Sequence, residues 1–285
     1  MEVNGLTKTC GLLGNPVEHT LSPVIHNTLA ELTGINLVYL PFLVEKDQLK
    51  EAVQGARALH ISGLNITVPH KEKILPYLAK TDDLAEKIGA VNTLVAEENG
   101  YKGYNTDMPG LYRDMASDGI VVEGEKVLLL GAGGVARAVA VMLCDKAKQI
   151  TILNRTLEKA TAIAEEVNGY AGRKVVTSLP LDTYACLPDK DYLAIQATNV
   201  GMYPHTDEAL ITDPDFYEKI RIGYDLIYNP SETRFMQQVK AAGGQAYNGL
   251  KMLLYQGIIA FELWNNCKIT EEQAAVVYRK LQERL

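Results

Sequence analysis

The chain has 285 residues, 47% hydrophobic and 22% charged, the balance of a folded globular protein with room for two domains. Its net charge of −7 comes from 28 basic and 35 acidic residues without a long basic run, which argues against nucleic acid or an anionic membrane as partner. Cys10, Cys144, Cys186 and Cys267 form no CxxC pair, and the histidines show no H-x-x-x-H spacing. The expectation is therefore no disulfide framework and no metal, with buried free thiols in a reducing cytoplasm.

The opening "MEVNGLTKTC" lacks a basic region followed by an apolar one, so no signal peptide is expected. Strands are predicted near Lys8–Leu13, Leu37–Leu43, His60–Thr67 and Ala90–Ala96, with helices following Ser22, Glu45, Lys71 and Asp82. "TLVAEENGYKGYNTD" reads as a hairpin turning at Asn99-Gly100, and a helix follows from Pro109 to Asp118. A second series starts with the strand and helix of "VLLLGAGGVARAVAVML" and continues with strands at Gln149–Leu153, Tyr192–Gln196, Arg221–Ile227 and Gln245–Tyr247. Leu250–Trp264 and Glu271–Leu285 read as helices. The apolar stretch "LLYQGIIAFELW" within them is interrupted by Gln256 and Glu262 and is too short to span a bilayer. Alternation of this kind predicts an α/β protein of two domains. Residues 1–107 plus 248–285 form an α/β substrate domain completed by the C-terminal helices. Residues 108–247 form a Rossmann-type, doubly wound dinucleotide-binding domain.

The sharpest local signal is Gly131-Ala132-Gly133-Gly134-Val135-Ala136, placed between a strand and a helix. In this G-x-G-x-x-A pattern Gly131 permits the tight turn and Gly133 lets a pyrophosphate approach the backbone. Ala136 keeps the helix close to the strand, and the helix N-terminus offers unpaired N–H groups to the anion. An NAD site would carry a carboxylate at the end of the next strand; this chain has Asn154, Arg155, Thr156 and, a helical turn on, Lys159. A guanidinium there suits the 2′-phosphate of NADP. The same residues also read as a plain helix start, with Thr156 as N-cap and Arg155 in solvent.

The first domain offers Thr20 and Ser22 at a helix start, where hydroxyls are also ordinary caps. In "GLNITVPHKEKIL" Asn65 and Thr67 stand two apart and share one strand face, and Lys71 stands at the head of a short helix. The partial positive charge of a helix N-terminus disfavours a lysine there, which marks Lys71 for another role. With Asn92 and Asp107, these residues gather at the C-terminal ends of predicted strands, the edge where α/β sheets bind ligands. Amides, hydroxyls and one ammonium suit a small polyhydroxylated acid. A Lys–Asp pair is also a common surface salt bridge.

"GNPVEHTLSPVIHN", "GLNITVPHK", "GAVNT", "GYNTD", "GAGGVARA", "NRT", "VGM", "YDLIYNP" and "GLKMLLYQG" occur in order along nearly the whole chain. In these motifs the sequence resembles the shikimate dehydrogenase family. The resemblance implies reversible, NADPH-dependent reduction of 3-dehydroshikimate to shikimate, a step toward chorismate and the aromatic amino acids. It implies Lys71 and Asp107 as the catalytic pair. Thr20, Ser22, Asn65, Thr67, Lys71, Asn92, Asp107, Tyr228 and Gln256 are implied as substrate contacts. Gly131, Ala132, Gly133, Gly134, Val135, Ala136, Asn154, Arg155, Thr156, Lys159, Thr198 and Gly249 are implied as NADP contacts. This chain departs from the family's common residues at Thr20, Gln196 and Lys251, which stand where serine, asparagine and glycine are frequent. A quinate/shikimate dehydrogenase of relaxed specificity and a non-catalytic NADP-binding regulator remain alternative readings, and a homodimer is left open as the assembly.

Overall fold

The structure is a computed structural model and describes residues 2–188 and 190–285. Two compact units emerge, Met1–Arg113 with Met252–Leu285, and Asp114–Lys251. The chain opens with β1 (Lys8–Gly14), α1 (Ser22–Thr33), β2 (Leu37–Leu43), α2 (Leu49–Ala58) and β3 (Gly63–Ile66). After one turn of 3₁₀ helix at Leu75–Tyr77 come β4 (Lys80–Thr81), α3 (Asp83–Ile88), β5 (Thr93–Glu97), β6 (Gly100–Tyr104) and α4 (Asp107–Ser117). These strands form one sheet in the order β2-β1-β3-β5-β6-β4. Strands β1, β2 and β3 run parallel, whereas β5 is antiparallel to β3 and to β6, so the predicted hairpin makes this a mixed sheet.

Period-two alternation explains how β3 serves two layers. Leu64 and Ile66 join Leu13, Leu94, Ile74 and Tyr101 in one apolar core. Gly63 and Asn65 face the other way. There the Trp264 ring lies so close that a Cβ on Gly63 would fall 2.2 Å from its Nε1, and Trp264 Nε1–H donates to Leu94 O at 2.9 Å.

The second unit contributes β7 (Lys126–Leu130), α5 (Gly134–Leu143), β8 (Gln149–Asn154), α6 (Leu157–Ala171) and β9 (Val176–Pro180). A 3₁₀ stretch at Leu181–Cys186 leads to β10 (Tyr192–Gln196), α7 (Pro214–Tyr217), β11 (Ile220–Asp225), α8 (Arg234–Ala241) and β12 (Gln245–Asn248). Its sheet is wholly parallel in the order β12-β11-β10-β7-β8-β9, the doubly wound arrangement in which strand order reverses beside β7. The near-continuous apolar strands "VLLL" and "YLAIQ" are buried on both faces, as such sheets require. The chain then returns to the first unit through α9 (Leu250–Asn265) and α10 (Glu271–Gln282), the latter started by a Thr270–Gln273 capping box.

Strands β4 and β9 and helices α7 and α8 were not among the predicted elements, and β3, β5 and β11 are shorter than predicted. Asp225 ends β11 by accepting the Ile227 N–H at 3.0 Å and the Thr233 hydroxyl at 2.5 Å, which turns the chain out of the sheet. All four cysteines are unpaired, but where burial was expected Cys186 is exposed and Cys267 half-buried. Among the described residues no helix is long and apolar enough to cross a membrane, and no cluster of His, Cys, Asp and Glu could hold a metal.

His26 of α1 is fully buried, stacked on Tyr39 with ring centroids 4.2 Å apart and 4.8 Å from Trp264. Among the described residues neither ring nitrogen has a hydrogen-bond partner by geometry, and burial pushes the imidazole down to about 3, the nearby Asn65 side chain offsetting only part. The folded state therefore excludes a proton that the unfolded chain accepts below pH ~6.5. This contribution to stability is complete above that value and is lost as pH falls toward 3. Asp225, pushed up to about 7 by burial, acts in the opposite sense, losing stability as pH rises through that value. His26→Phe keeps the stacked ring and removes the titration. Its thermal stability should fall less steeply than the wild type's between pH 6.5 and 4; parallel melting curves across that range would contradict the assignment.

Candidate active site

Lys71 is not at a helix head. Residues 71–74 form turns before the 3₁₀ segment, and Pro76 prevents their growth into an α-helix, so the expected dipole repulsion has no helix to act from. The backbone is held instead by its neighbours. The Val91 N–H donates to Lys71 O at 2.8 Å, and the His70 N–H donates to Thr67 O at 2.9 Å. The buried His70 ring places Nε2 2.8 Å from Val44 O, which makes that nitrogen the protonated donor.

Lys71 Nζ lies 2.7 Å from Asp107 Oδ2, with a third of the lysine side chain still exposed (34%). The other carboxylate oxygen accepts from Asn92 Nδ2 at 2.9 Å. Asn92 is fixed in turn, because its Oδ1 accepts the Thr106 N–H at 2.7 Å, and an N–H can only point at oxygen. Its Nδ2 also reaches Thr106 Oγ1 at 3.0 Å and Gln256 Oε1 at 3.5 Å. Asp107 is thus gripped at both oxygens, while an ammonium with three donors has, among the described residues, one side-chain partner. Two N–H bonds of Lys71 remain for a ligand.

Asn65 is a different case. Its Nδ2 donates to Asn92 O at 3.2 Å and to Thr93 Oγ1 at 3.0 Å, and its Oδ1 accepts from Tyr39 O–H at 2.8 Å. Burial holds the Tyr39 phenol well above its ordinary pKa, so it remains a donor. Both Asn65 donors are committed inside the protein, leaving one Oδ1 lone pair for a ligand. Thr67 lies one residue past the end of β3, half-buried, and its N–H donates to Leu13 O of β1 at 3.0 Å. Ser22 is the first residue of α1 and Leu21 is the N-cap, so capping does not account for Ser22. The Thr20 hydroxyl takes the capping part, accepting the Ser22 N–H at 3.2 Å and lying 3.2 Å from Ser22 Oγ.

Sequence reasoning did not single out Tyr39, Thr93 or Thr106. Thr93 and Thr106 stand inside "GAVNT" and "GYNTD", and that adjacency was their one local signal. Tyr39 had none beyond the alternation of β2.

In the second unit the glycine turn follows β7 at the strand-order reversal. Gly131 has φ +108°, and a Cβ there would stand 2.6 Å from Thr198 Cγ2, so both conformation and space require glycine. Ala132 is half-buried and Ala136 fully buried, whereas Gly133, Gly134 and Val135 are exposed, with open space over Gly133. An exposed first turn of α5 after a glycine turn fits a dinucleotide pyrophosphate.

At the end of β8, Asn154 Nδ2 donates to Thr156 O at 2.8 Å. Thr156 is the N-cap of α6 by position but makes no side-chain cap bond. Arg155 and Lys159 are exposed and, among the described residues, make no ion pair. Arg155 helps line a cavity of about 430 Å³ whose wall also includes Leu181, Tyr184, Asp182 and Asp213. Of the two carboxylates in that wall, Asp213 accepts from Tyr184 O–H at 2.7 Å. Thr198 follows β10. Gly249 donates its N–H to Ile227 O at 3.1 Å, and Tyr228 is half-buried in that same unit.

A dinucleotide cradle in one unit and, in the other, an ammonium placed to give up a proton describe a class: oxidoreductases that move hydride between a nicotinamide and a small hydroxylated substrate. Residues 12–94 match the model of the shikimate dehydrogenase substrate binding domain, and residues 114–199 match that of shikimate / quinate 5-dehydrogenase. The NADP(+) shikimate dehydrogenase of Carboxydothermus hydrogenoformans is 39% identical over 93% of this chain and 94% of its own. A crystal structure of shikimate dehydrogenase in complex with NADP+ superposes with a TM-score of 0.88 at 39% identity, over 98% of this chain and 97% of that one. Shikimate 5-dehydrogenase of Listeria monocytogenes, in complex with shikimate and NAD, gives 0.89 at 32% identity over 99% and 98%. The chain belongs to the shikimate dehydrogenase family.

Proposed function

We infer that the protein catalyses the reversible NADPH-dependent reduction of 3-dehydroshikimate to shikimate, on the route to chorismate and the aromatic amino acids. The observation that carries the reading is the Lys71–Asp107 pair, 2.7 Å apart and held by Asn92 from the far side. Bound NADPH would supply the hydride, and NADP+ would accept it in the reverse direction. Lys71 delivers a proton from Nζ to the substrate's carbonyl oxygen as negative charge grows there, and takes the hydroxyl proton in the reverse direction. Asp107 aims that ammonium and offers its remaining lone pairs to a substrate hydroxyl.

Thr20, Ser22, Asn65, Thr67, Asn92 and Gln256 complete the substrate site from the first unit, with Tyr228 assigned to it by motif. The glycine turn from Gly131 to Ala136 takes the pyrophosphate, Asn154, Arg155, Thr156 and Lys159 the adenosine phosphate end, and Thr198 and Gly249 the rest of NADP. We assign residues 1–107 with 248–285 to substrate and 108–247 to cofactor. Four unpaired cysteines support a reducing cytoplasm as the compartment.

Steady-state turnover of shikimate and quinate, each with NADP and NAD, tests the reading. Shikimate with NADP should give the highest kcat/KM. Comparable rates on quinate would favour the relaxed-specificity enzyme, and no turnover on either acid would favour the regulator.

A further inference from the structure

We infer that Gln196 is a positioning residue for the nicotinamide cofactor, folding the turn after β10 against the glycine turn after β7. The inference rests on the reading of Gly131–Ala136 as the cofactor cradle. Gln196 ends β10 at 1% exposure, with its backbone locked between neighbours: Leu226 N–H donates to its carbonyl at 3.1 Å, and Ala197 N–H donates to Leu130 O at 2.9 Å. Its side chain does not fill the core. Instead Oε1 accepts the Thr198 N–H and the Thr198 hydroxyl, each at 2.7 Å, while Nε2 donates to Val200 O at 3.0 Å. The Thr198 hydroxyl in turn accepts the Val200 N–H at 3.2 Å. One amide therefore gathers three polar groups of the turn, and a fourth, the Val200 N–H, is held through the Thr198 hydroxyl.

That turn is the part of the unit that interlocks with the cradle. The space a side chain would need at Gly131 is taken by the Thr198 methyl, at 2.6 Å, and by Ala197 O, at 3.3 Å. The two turns face each other across β7 and β10, where strand order reverses and parallel sheets bind their ligands. Moving Thr198 therefore moves a wall of the cofactor site. The amide is chemically specific as well. A carboxylate of the same shape would keep the acceptor but set a bare oxygen against Val200 O, and an aliphatic side chain would leave all the gathered groups without their partner. This gives the departure from the family's usual asparagine a role: the longer side chain spans the turn from Thr198 to Val200.

The test uses Gln196→Leu, Gln196→Glu and Thr198→Val in the full chain. It measures KM for NADP and for shikimate, calorimetric Kd for NADPH, and melting temperature. Both Gln196 variants should raise KM for NADP and Kd for NADPH by roughly tenfold, the effect of about 1.4 kcal/mol. Thr198→Val should raise them less, and KM for shikimate should stay within about twofold in all three. Should Gln196→Leu fail to fold, the isosteric Glu variant and Thr198→Val carry the comparison. A lower melting temperature with unchanged Kd would reduce Gln196 to a structural residue and overturn the inference, as would equal rises in both KM values. If wild type binds NADPH and Arg155→Ala weakens it while the Gln196 variants bind normally, the cofactor reading stands and only this inference falls. If wild type itself does not bind NADPH, both fall.

Discussion

Lys71→Ala should lower kcat by roughly a hundredfold or more while changing KM for shikimate far less, because a proton donor acts mainly in the transition state. The geometry sharpens that expectation. Among the described residues the Lys71 ammonium pairs with Asp107 alone, so the mutation removes the donor without dismantling a network. The grip of Asn92 on Asp107 Oδ1 stays in place. Asp107→Asn is the informative companion. Its amide can put a nitrogen where an oxygen now receives Lys71 or Asn92, so one of those contacts turns repulsive. Both kcat and KM should suffer, since the carboxylate also accepts from substrate. Steady-state constants for the two variants separate these patterns, and a Lys71→Ala enzyme with near-normal kcat would remove Lys71 from the chemistry.

Arg155→Ala should raise KM for NADP by roughly ten- to a hundredfold and leave KM for NAD nearly unchanged. A charge-assisted hydrogen bond to a phosphate contributes about 1.5–3 kcal/mol, at ~1.4 kcal/mol per factor of ten. Arg155 is exposed and makes no ion pair among the described residues, so its guanidinium is available to a 2′-phosphate. Adding Asn154→Asp should go further, supplying an acceptor for a free 2′-hydroxyl and repelling the phosphate. The check is kcat/KM for both cofactors on wild type, the single and the double variant. Equal weakening of NADP and NAD by Arg155→Ala would mean that the residue holds something the two share.

What was legible in the sequence is what local rules govern. The glycine turn reads directly because a strand, a left-handed turn and a helix start must be contiguous, and Gly131 at φ +108° meets that need. The inner strands β7, β8 and β10 of the second sheet read well because burial on both faces leaves apolar runs, whereas the edge strand β9, only partly buried, did not. Lys71, Asp107 and Asn92 were legible as a set through their motifs, and the structure brings them within hydrogen-bond reach. The helix after Lys71 was misjudged because "KEKILPYL" has apolar residues at helical spacing, and Pro76 decides against it.

Harder to see was the polar chain from Tyr39 through Asn65 and Thr93 to Asn92. It depends on β3 pairing with β5 in the register that sets Asn65 opposite Thr93, a long-range fact that no window of sequence contains. For the same reason Asn65 looked like a free ligand contact, when most of its hydrogen-bonding capacity is already committed.

The most direct test of the account is a single turnover: enzyme loaded with NADPH, mixed with excess 3-dehydroshikimate, and followed by loss of NADPH absorbance. Wild type should consume one NADPH per site in a fast first phase and form shikimate in equal amount. Lys71→Ala should bind both reactants but consume NADPH at least a hundredfold more slowly. Consumption at the wild-type rate without Lys71, or loaded wild type that leaves its NADPH unoxidised, would contradict it.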